Sequence, residues 1–422
     1  MKTAYKCRAY PDPRQAAVLS RTFGCVRLVW NRALADRQRA WQTERRRISY
    51  GESDAALTAW KRTPELAFLS EVSSVPLQQV LRHQHTAFTN FFAGRARHPR
   101  FKSRAGRQSA HFTRSAFSMR GGELKLAKTS TPLRFVWSWD EVDAAALDPT
   151  MVIVSREPDG RWYVTFAVDV PPLEMAEPAG RMIGIDLGVK DFAVTSDGGR
   201  IANPRHLDRR AANLARYQRR MARCRQGSNN RAKAKAKVSR AHRKVRAARA
   251  DFLHRTSTRL VRDHDWIVIE DLNVKGATAS ASGTVDRPGR NVTAKRSLNR
   301  AIADCGWGEF RRQLEYKCER YGRRLIVVDR WFPSSKRCSK CGDLLAELRL
   351  STRHWTCPKC RTRHDRDHNA AKNILAAGRA VAERHTALGD ACGADVRHLE
   401  SSRVRSATKQ EASPVRKRIP AT

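Results

Sequence analysis

The stretch RMIGIDLGVKDFAVTSDGGRIAN, residues 181–203, contains three short strands that establish how this half of the chain is organised. RMIGIDLGV, DFAVTS and RIAN are apolar segments, and the Asp197-Gly198 pair between the last two is typical of a hairpin turn. Two further buried strands follow, WIVIED (266–271) and RRLIVVDRWF (323–332). Helical segments separate them, which predicts the order strand, strand, strand, helix, strand, helix, strand, helix.

Three acidic residues stand out within this order. Asp186 lies inside the apolar segment IGIDLGV, Glu270 ends WIVIE, and Asp367 begins the last helix in HDRDHNAAKN. Burying a carboxylate is costly unless a cation or hydrogen-bond partners compensate. The order is that of an RNase H-like fold, whose first and fourth strands are neighbours, so we expect the last helix to bring Asp367 beside Asp186 and Glu270. Such a cluster can hold two Mg²⁺ ions for phosphodiester hydrolysis.

Each acid also has an ordinary structural interpretation. Asp186 could be a turn residue, Glu270 could pair with an arginine, and Asp365 or Asp367 could cap the last helix. The choice of Asp367 over Asp365 as the third ligand rests on the family resemblance given below, and Asp365 is the better candidate for the cap or for a contact that supports a ligand. Two more residues are candidates for contacts that support the ligands: Asp271 and Asn369. Three separate structural explanations are together less favoured than one shared metal site.

Four of the ten cysteines form two Cys-x2-Cys pairs separated by fifteen residues. This spacing is typical of a zinc ribbon, in which two knuckles supply four thiolates to a tetrahedral Zn²⁺. The predicted ligands are Cys338, Cys341, Cys357 and Cys360. Four protein ligands leave no position for water, so we expect one structural zinc ion without a catalytic role. The alternative is four free thiols, which this spacing disfavours.

The chain is strongly basic, with 83 Lys and Arg against 41 Asp and Glu and a formal net charge of +42. An extended polyanion is the expected partner, because phosphates neutralise such charge. Residues 205–262 contain 20 cations and two acids, interrupted at 226–230, which predicts a basic helical hairpin. The candidate nucleic-acid contacts are Arg219, Arg220 and Arg243 in this hairpin, Gln78, Gln79 and Arg82 in the first hundred residues, and Lys336 beside the cysteines. An ordinary solvated face is the alternative for each of them.

The first hundred residues are predicted to be mostly helical. Asp12, Pro13 and Gln15 form a helix start with a capping box. The run MVIVSREPDGRWYVTFAVDV (151–170) indicates two strands around a turn, and PPLEMAEPAG (171–180) marks a domain boundary. These patterns together predict a β-barrel with a helical insertion. We assign a set of aromatic residues to packing: Trp30, Trp60, Phe88, Phe91 and Phe92.

The chain has no apolar run near the roughly 18 residues of a membrane span. Its first residues, MKTAYKCRAYPDP, lack the apolar region of a signal peptide. We therefore expect no membrane association and a cytoplasmic protein, bound to the nucleoid.

Several motifs in a fixed order resemble the TnpB family, the RNA-guided nucleases encoded by insertion sequences. The matching stretches lie between residues 10 and 375: YPDPRQAAVLSRTFGCVRLVWNRAL, GIDLGVKDFAVTSDG, VIEDLNVKG, WGEFRRQLEYKCERYGRRLIVVDRWFPSSKRCSKCG and CPKCRTRHDRDHNAAKNIL. The resemblance implies a RuvC nuclease domain in which Asp186, Glu270 and Asp367 are catalytic and hold two Mg²⁺ ions. It also implies one Zn²⁺ on the four cysteines, a transposon-derived guide RNA (ω RNA or reRNA), and double-stranded target DNA beside a short transposon-adjacent motif.

The resemblance also suggests a fold class and domain boundaries. The expected fold is α/β plus β-barrel: an RNase H-like (RuvC) domain with an inserted zinc ribbon, preceded by a wedge barrel carrying a helical recognition insertion. The expected ranges are 1–12 and 100–178 for the wedge, 13–99 for recognition, 179–335 and 364–378 for RuvC, 336–363 for the ribbon, and 379–422 for a disordered tail.

The expected function is RNA-guided DNA cleavage by a protein that is monomeric in its RNA complex. The alternatives are a guided DNA-binding repressor that does not cut and a transposase that transfers DNA strands. A compact type V CRISPR effector is the nearest relative to distinguish.

Overall fold

The computed structural model describes residues 2–139, 142–170, 180–349 and 351–387, and the chain forms two lobes in sequence order. The N-terminal lobe comprises the described residues up to Val170, and the C-terminal lobe begins at Gly180. The predicted linker lies outside the described residues except for Gly180.

An antiparallel sheet forms the base of the N-terminal lobe. Its strands and those of a neighbouring hairpin are β1 (Lys2–Ala9), β2 (Gln108–Thr113), β3 (Phe117–Arg120), β4 (Glu123–Leu126), β5 (Phe135–Val136), β6 (Pro149–Arg156) and β7 (Trp162–Asp169). Five strands form the sheet in the order β2-β6-β7-β1-β5, and β3 pairs with β4. Among the described residues β2 and β5 form the two edges of the sheet and do not pair with each other. The described part is a five-stranded antiparallel sheet without that closing pair, and the β-barrel stays a prediction.

Helices between β1 and β2 cover this sheet. They are α1 (Pro13–Glu44), α2 (Tyr50–Arg62), a 3₁₀ helix (Pro64–Ser70) and α3 (Ser74–Phe92). The predicted capping box of α1 is confirmed: Asp12 Oδ1 accepts the Gln15 N–H at 2.8 Å, and Gln15 Oε1 accepts the Asp12 N–H at 3.1 Å. Phe23 and Val29 of α1 share one core with Phe166 of β7, so the helices pack directly on the sheet.

The C-terminal lobe is built around a mixed sheet. Its strands are β8 (Met182–Leu187), β9 (Asp191–Thr195), β10 (Arg200–Ala202), β11 (Trp266–Glu270) and β12 (Arg324–Val328). They are arranged in the order β10-β9-β8-β11-β12. β8 is antiparallel to β9 and parallel to β11, which is parallel to β12. The predicted contact between the first and fourth strands is confirmed.

Helices lie on both faces of this mixed sheet. They are α4 (Ala211–Ala222), α5 (Asn229–Asp263), α6 (Val274–Ala277), α7 (Val292–Cys305), α8 (Trp307–Arg320) and α9 (Arg366–Ala387). Alternate residues of β11 face opposite layers: Ile267 and Ile269 pack with Phe310 of α8, whereas Val268 packs with Ile374 of α9. A small hairpin of β13 (His354–Thr356) and β14 (Arg363–Asp365) precedes α9.

Helix α9 is longer than the sequence predicts. The sequence predicts that the folded region ends at Gly378, but the helix continues to Ala387. Val381 and Ala382 pack against the core that contains Val268, which supports the added turns. The remainder of the predicted tail, 388–422, lies outside the described residues. Within the described part of the chain, no helix combines the length and apolar character that a membrane span requires.

Candidate metal centre and nucleic-acid interface

Asp186 and Glu270 lie at the same edge of the C-terminal sheet. Asp186 is near the end of β8, and Glu270 is the last residue of β11. Ile185 pairs with Ile269 across these parallel strands, so the two acids occupy matching positions one residue further on. Side chains at matching positions of neighbouring strands project from the same face of a sheet. The structure thus brings these acids together, as the order of elements predicts.

Helix α9 brings Asp367 to this edge by packing closely onto the sheet. Asp367 lies in its first turn. Gly184 of β8 lies under the helix, and a Cβ atom there would be 2.3 Å from the carbonyl oxygen of Ala371. At Gly378, further along α9, a Cβ atom would be 2.4 Å from Val268 Cγ2. Glycine at both positions lets the helix backbone approach the strands this closely.

The charges of Asp367 and Glu270 act on Asp186. Burial raises the pKa of Asp186 to about 7, with further contributions from the charges of Asp367 and then Glu270. Burial also raises the pKa of Glu270, whose Oε1 accepts a hydrogen bond from Ser334 Oγ at 3.4 Å. Arg353 Nη1 lies 3.7 Å from Asp367 Oδ1. Desolvation and two neighbouring carboxylates both disfavour the charged form of Asp186, and a divalent cation would stabilise that form.

The donor set fits Mg²⁺, which prefers carboxylate oxygens. Among the residues that the structure describes, the four clustered cysteines are the group of His, Cys, Asp or Glu side chains placed closely enough to hold a metal ion, and their ligand atoms lie within 4.8 Å of one another. Asp186, Glu270 and Asp367 do not form such a group as they stand; what links them is the effect of Asp367 and Glu270 on the pKa of Asp186.

Asp365 and Asp271 have supporting contacts beside the three acids. Asp365 Oδ1 accepts the His368 N–H at 2.9 Å, which caps the start of α9, as predicted for this residue. Asp271 is ion-paired with Arg311 at 2.6 Å and with Arg330. These arginines hold the residue next to Glu270 in place and lower the pKa of Asp271.

The four cysteines predicted to bind zinc come together, with their sulfur atoms within 4.8 Å of one another. Two contacts across the pairs are each 3.6 Å: Cys338 to Cys360 and Cys341 to Cys357. The residue after each pair, Gly342 or Arg361, has positive φ, so both knuckles turn in the same way. Four convergent thiols form a closed tetrahedral donor set, which fits a structural Zn²⁺.

A histidine that the sequence analysis missed lies beside the cysteines. Nε2 of His364 is 3.1 Å from Cys338 Sγ, and its ring packs on Trp355 with centroids 4.7 Å apart. A neighbouring N–H that donates to a ligand sulfur orients the ligand and stabilises the thiolate. The only sequence signal was a histidine four residues after Cys360.

Two asparagines of α9 fasten the cysteine cluster to the helix that bears Asp367. Asn369 Oδ1 accepts the Ser339 N–H at 2.9 Å, and its Nδ2 donates to Arg337 O at 2.7 Å. Asn373 Nδ2 donates to the same carbonyl at 2.6 Å and to Ser334 O at 2.8 Å. The contacts of Asn369 go to the backbone around the cysteines, so the support predicted for it beside the three acids stays a prediction. These hydrogen bonds join the cysteine cluster to the start of α9.

Three family profiles match separate parts of the chain. Residues 165–281 match a family described as "Probable transposase", and residues 307–374 match a "Cas12f1-like, TNB domain". Residues 1–46 match a "Helix-turn-helix domain", although here they form strand β1 and the single long helix α1.

Two curated relatives match almost the whole chain. A Streptomyces pristinaespiralis protein named "Putative RNA-guided DNA endonuclease" is 50% identical over 423 residues, covering 100% of this chain and 98% of the relative. Escherichia coli (strain K12) "Putative RNA-guided DNA endonuclease InsQ" is 35% identical over 379 residues, covering 90% of this chain and 92% of the relative. The chain belongs to the TnpB family.

A solved structure supports the fold of this TnpB-family chain. The protein in a cryo-EM structure of a Cas12f1-sgRNA-target DNA complex aligns with a TM-score of 0.51 and 17% identity. The alignment covers 86% of this chain and 83% of the other. At this identity, the similarity extends to the fold alone.

The basic hairpin predicted for residues 205–262 of the TnpB-family chain is confirmed as α4 and α5. Arg219 and Arg220 are exposed at the end of α4. Arg243 is not a free surface cation: its Nε donates to Asp159 Oδ2 at 2.5 Å, which joins α5 to the turn between β6 and β7. Lys336 likewise has an internal partner, because its Nζ donates to Ala346 O at 3.0 Å. Arg219 and Arg220 are therefore the exposed candidates of this group, whereas Arg243 and Lys336 have partners within the chain.

The candidate contacts on α3 differ in exposure. Gln78 and Gln79 are half-buried, whereas Arg82 is exposed and its Nε donates to Tyr50 Oη at 3.3 Å. Arg82 also lies over the Tyr50 ring, 5.5 Å from its centroid. Of the three, only Arg82 has a side chain presented to solvent.

The assignment of all five aromatic residues to packing is wrong for one of them. Trp30 and Trp60 are buried. Phe88 and Phe91 are half-buried, but Phe92, the last residue of α3, is 52% exposed. Arg47 lies over the Phe92 ring at 4.4 Å from its centroid. Phe92 continues the apolar spacing of α3. Among the described residues, however, it is not part of the core of the N-terminal lobe.

Proposed function

We propose that the protein is an RNA-guided DNA endonuclease that hydrolyses phosphodiester bonds at the cluster of Asp186, Glu270 and Asp367. The observation that carries this proposal is the arrangement of three acids on β8, β11 and α9 at one edge of the sheet, with a raised pKa at the half-buried Asp186. Relatives of nearly full length carry the name RNA-guided DNA endonuclease, which supports the same conclusion.

The carboxylates of Asp186, Glu270 and Asp367 would hold two Mg²⁺ ions. When bound, these ions would activate water and stabilise the leaving oxygen. The chain contributes the positions of the ligands: Ser334 orients Glu270 through its hydroxyl, and α9 presents Asp367. Arg353, 3.7 Å from Asp367, would stabilise negative charge on the exposed side of the cluster.

Zinc bound by Cys338, Cys341, Cys357 and Cys360 would act on cleavage only indirectly. Since Asn369 and Asn373 join the cysteine cluster to α9, loss of zinc would loosen the helix that presents Asp367. We therefore assign this ion a structural role.

The proposed domains follow the two lobes. The sheet and helices of the N-terminal lobe would be the wedge (1–12 and 100–178) and recognition (13–99) parts. The mixed sheet with α4 to α9 would be an RNase H-like RuvC domain, 179–335 and from 364 onward, into which the ribbon (336–363) is inserted. The strand order β10-β9-β8-β11-β12 supports this assignment.

Guide RNA and target DNA would lie against the basic surfaces. The net charge of +42 requires a polyanion, and the exposed arginines of α4 provide phosphate contacts. Base pairing with the guide would select the target, and the N-terminal lobe would recognise a short duplex motif. One protein chain per RNA would be sufficient, since one chain contains all three acids.

The test uses protein purified with its co-purifying RNA, a plasmid that matches the guide, and Mg²⁺. A nuclease gives linear plasmid, and removing the RNA abolishes the product. A repressor would give a shifted band without cutting, and a transposase would join DNA ends without the guide; either result would refute the proposal. Glu270→Gln is the matched control, because it keeps the shape of the side chain and removes its charge.

A further inference from the structure

Trp331 is 84% exposed at the carboxyl edge of the C-terminal sheet. It follows β12, whose last residue Val328 pairs with Glu270 of β11. Its neighbour Phe332 is half-buried and packs against the core formed by Val268 and Ile326. The chain therefore buries one aromatic ring of this pair and presents the larger one to solvent, beside the strand end that bears a proposed metal ligand.

The backbone around Trp331 is fixed by hydrogen bonds on both sides. The Trp331 N–H donates to Asp329 Oδ1 at 2.7 Å, and the Phe332 N–H donates to Asp329 O at 3.1 Å. Arg330 forms an ion pair with Asp271. On the other side, Ser334 donates to Glu270 Oε1. The residues before and after Trp331 are thus held to the two acids at the end of β11.

We propose that Trp331 stacks on an unpaired base of the DNA strand that enters the carboxylate cluster. The inference rests on the proposed nuclease function and assigns a substrate contact to its site. A tryptophan side chain has only two rotatable bonds and the Trp331 backbone is held by hydrogen bonds, so little conformational freedom is lost when a base stacks on the ring; stacking also accepts any base. A strand without partner bases is required, because a paired base in a duplex has no free face to offer.

The surroundings favour a nucleic acid over another protein as the partner. Arg337 and Lys340 are exposed six and nine residues after Trp331, so cations that can bind phosphates follow the ring along the chain. Phe332 and Val328 are turned into the core, so Trp331 is not part of a wide apolar patch of the kind that protein interfaces need. One aromatic ring with cations nearby is the arrangement that binds single strands.

The test measures binding of a fluorescent single strand that does not pair with the guide. The protein is the guide-RNA complex carrying Glu270→Gln, and raised salt suppresses phosphate contacts. Trp331→Ala should weaken binding about 5- to 150-fold, and Trp331→Phe should restore most of it. Trp41→Ala, which removes an exposed tryptophan of α1 in the other lobe, should leave binding unchanged.

Single abasic sites placed along the strand identify the stacked base. Protein that retains Trp331 should lose affinity at one position, and Trp331→Ala should be insensitive there. An equal loss for both proteins at every position would overturn the proposal, as would a Trp331→Ala defect of the same size on fully paired duplex. Failure of the unmodified complex to cut DNA would refute the nuclease function instead, because these binding measurements need no cleavage.

Discussion

Replacing Gly184 by alanine should separate the position of α9 from the chemistry of the acids. The added Cβ would lie 2.3 Å from Ala371 O, 2.6 Å from Leu375 N and 2.7 Å from Leu375 Cβ. Two of these atoms belong to the helix backbone and cannot turn away. The helix must therefore move by about 1 Å to reach ordinary contact distances. Overpacking of this kind costs about 1–3 kcal/mol, which lowers the unfolding midpoint by roughly 3–10 °C in a lobe of this size.

The same movement should impair cleavage more than binding. Asp367 lies one turn before Ala371 in α9, so it shifts with the helix. A displacement of about 1 Å at a catalytic group can cost about 100-fold in rate. Guided DNA binding should change little, because Gly184 lies in the interface between β8 and α9 and not on the surface that would contact DNA.

The assay compares single-turnover plasmid cleavage, guided DNA binding and thermal unfolding for Gly184→Ala and Gly308→Ala. Gly308 lies in α8, and a Cβ atom added there would have no neighbouring atom within 4 Å, so alanine should be neutral or slightly stabilising. Unchanged cleavage by Gly184→Ala, with an unchanged unfolding midpoint, would show that the helix does not need this close approach.

Three other outcomes follow from the contacts. Asp186→Asn should abolish cutting yet raise the unfolding midpoint of metal-free protein, because it removes a partly desolvated charge that Asp367 and Glu270 repel. A lower midpoint would contradict this electrostatic reasoning. Cys357→Ser should lower both the zinc content, measured by metal analysis, and the yield of folded protein. Cys224→Ser, which lies outside the cluster, should keep both at the level of the unmodified protein. Normal zinc content in Cys357→Ser would exclude the site. Burial lowers the pKa of His111 from 6.5 to about 4, so the native state binds fewer protons than the unfolded chain between these values. Stability should fall by about 2 kcal/mol between pH 7.5 and pH 5 from this residue, and urea unfolding of His111→Phe should show a smaller loss; an equal loss would exclude His111.

The ion pair between Arg243 and Asp159, which joins the two lobes, shows why the roles of surface cations were harder to predict than the metal ligands. Arg243 belongs to a run of cations that resembles a free basic face, but Asp159, 84 residues earlier, neutralises it. The turn that contains Asp159, between the two strands predicted in residues 151–170, is confirmed. The pairing of Asp159 with Arg243 depends on where the N-terminal lobe meets α5, and no local pattern contains that information.

Phe92 and Trp331 illustrate the same limit for aromatic residues. The apolar spacing along α3 predicts that Phe92 packs like the other aromatic residues of the helix. It is exposed because the end of α3 extends beyond the core. In RRLIVVDRWF the two aromatic residues are adjacent, so the sequence cannot tell which one enters the core. His364 was missed because its contact with Cys338 joins residues 26 positions apart.

The sequence alone determined the cysteine spacing, the order of strands and helices, and the three acids in apolar or helix-starting contexts, because each is a short-range pattern with few physical explanations. Tertiary structure decided the length of α9, the partners of Arg243 and Lys336, and the exposure of Trp331. Those outcomes depend on which distant surfaces meet, and the free energy of such contacts is set by packing across the whole fold rather than by neighbouring residues.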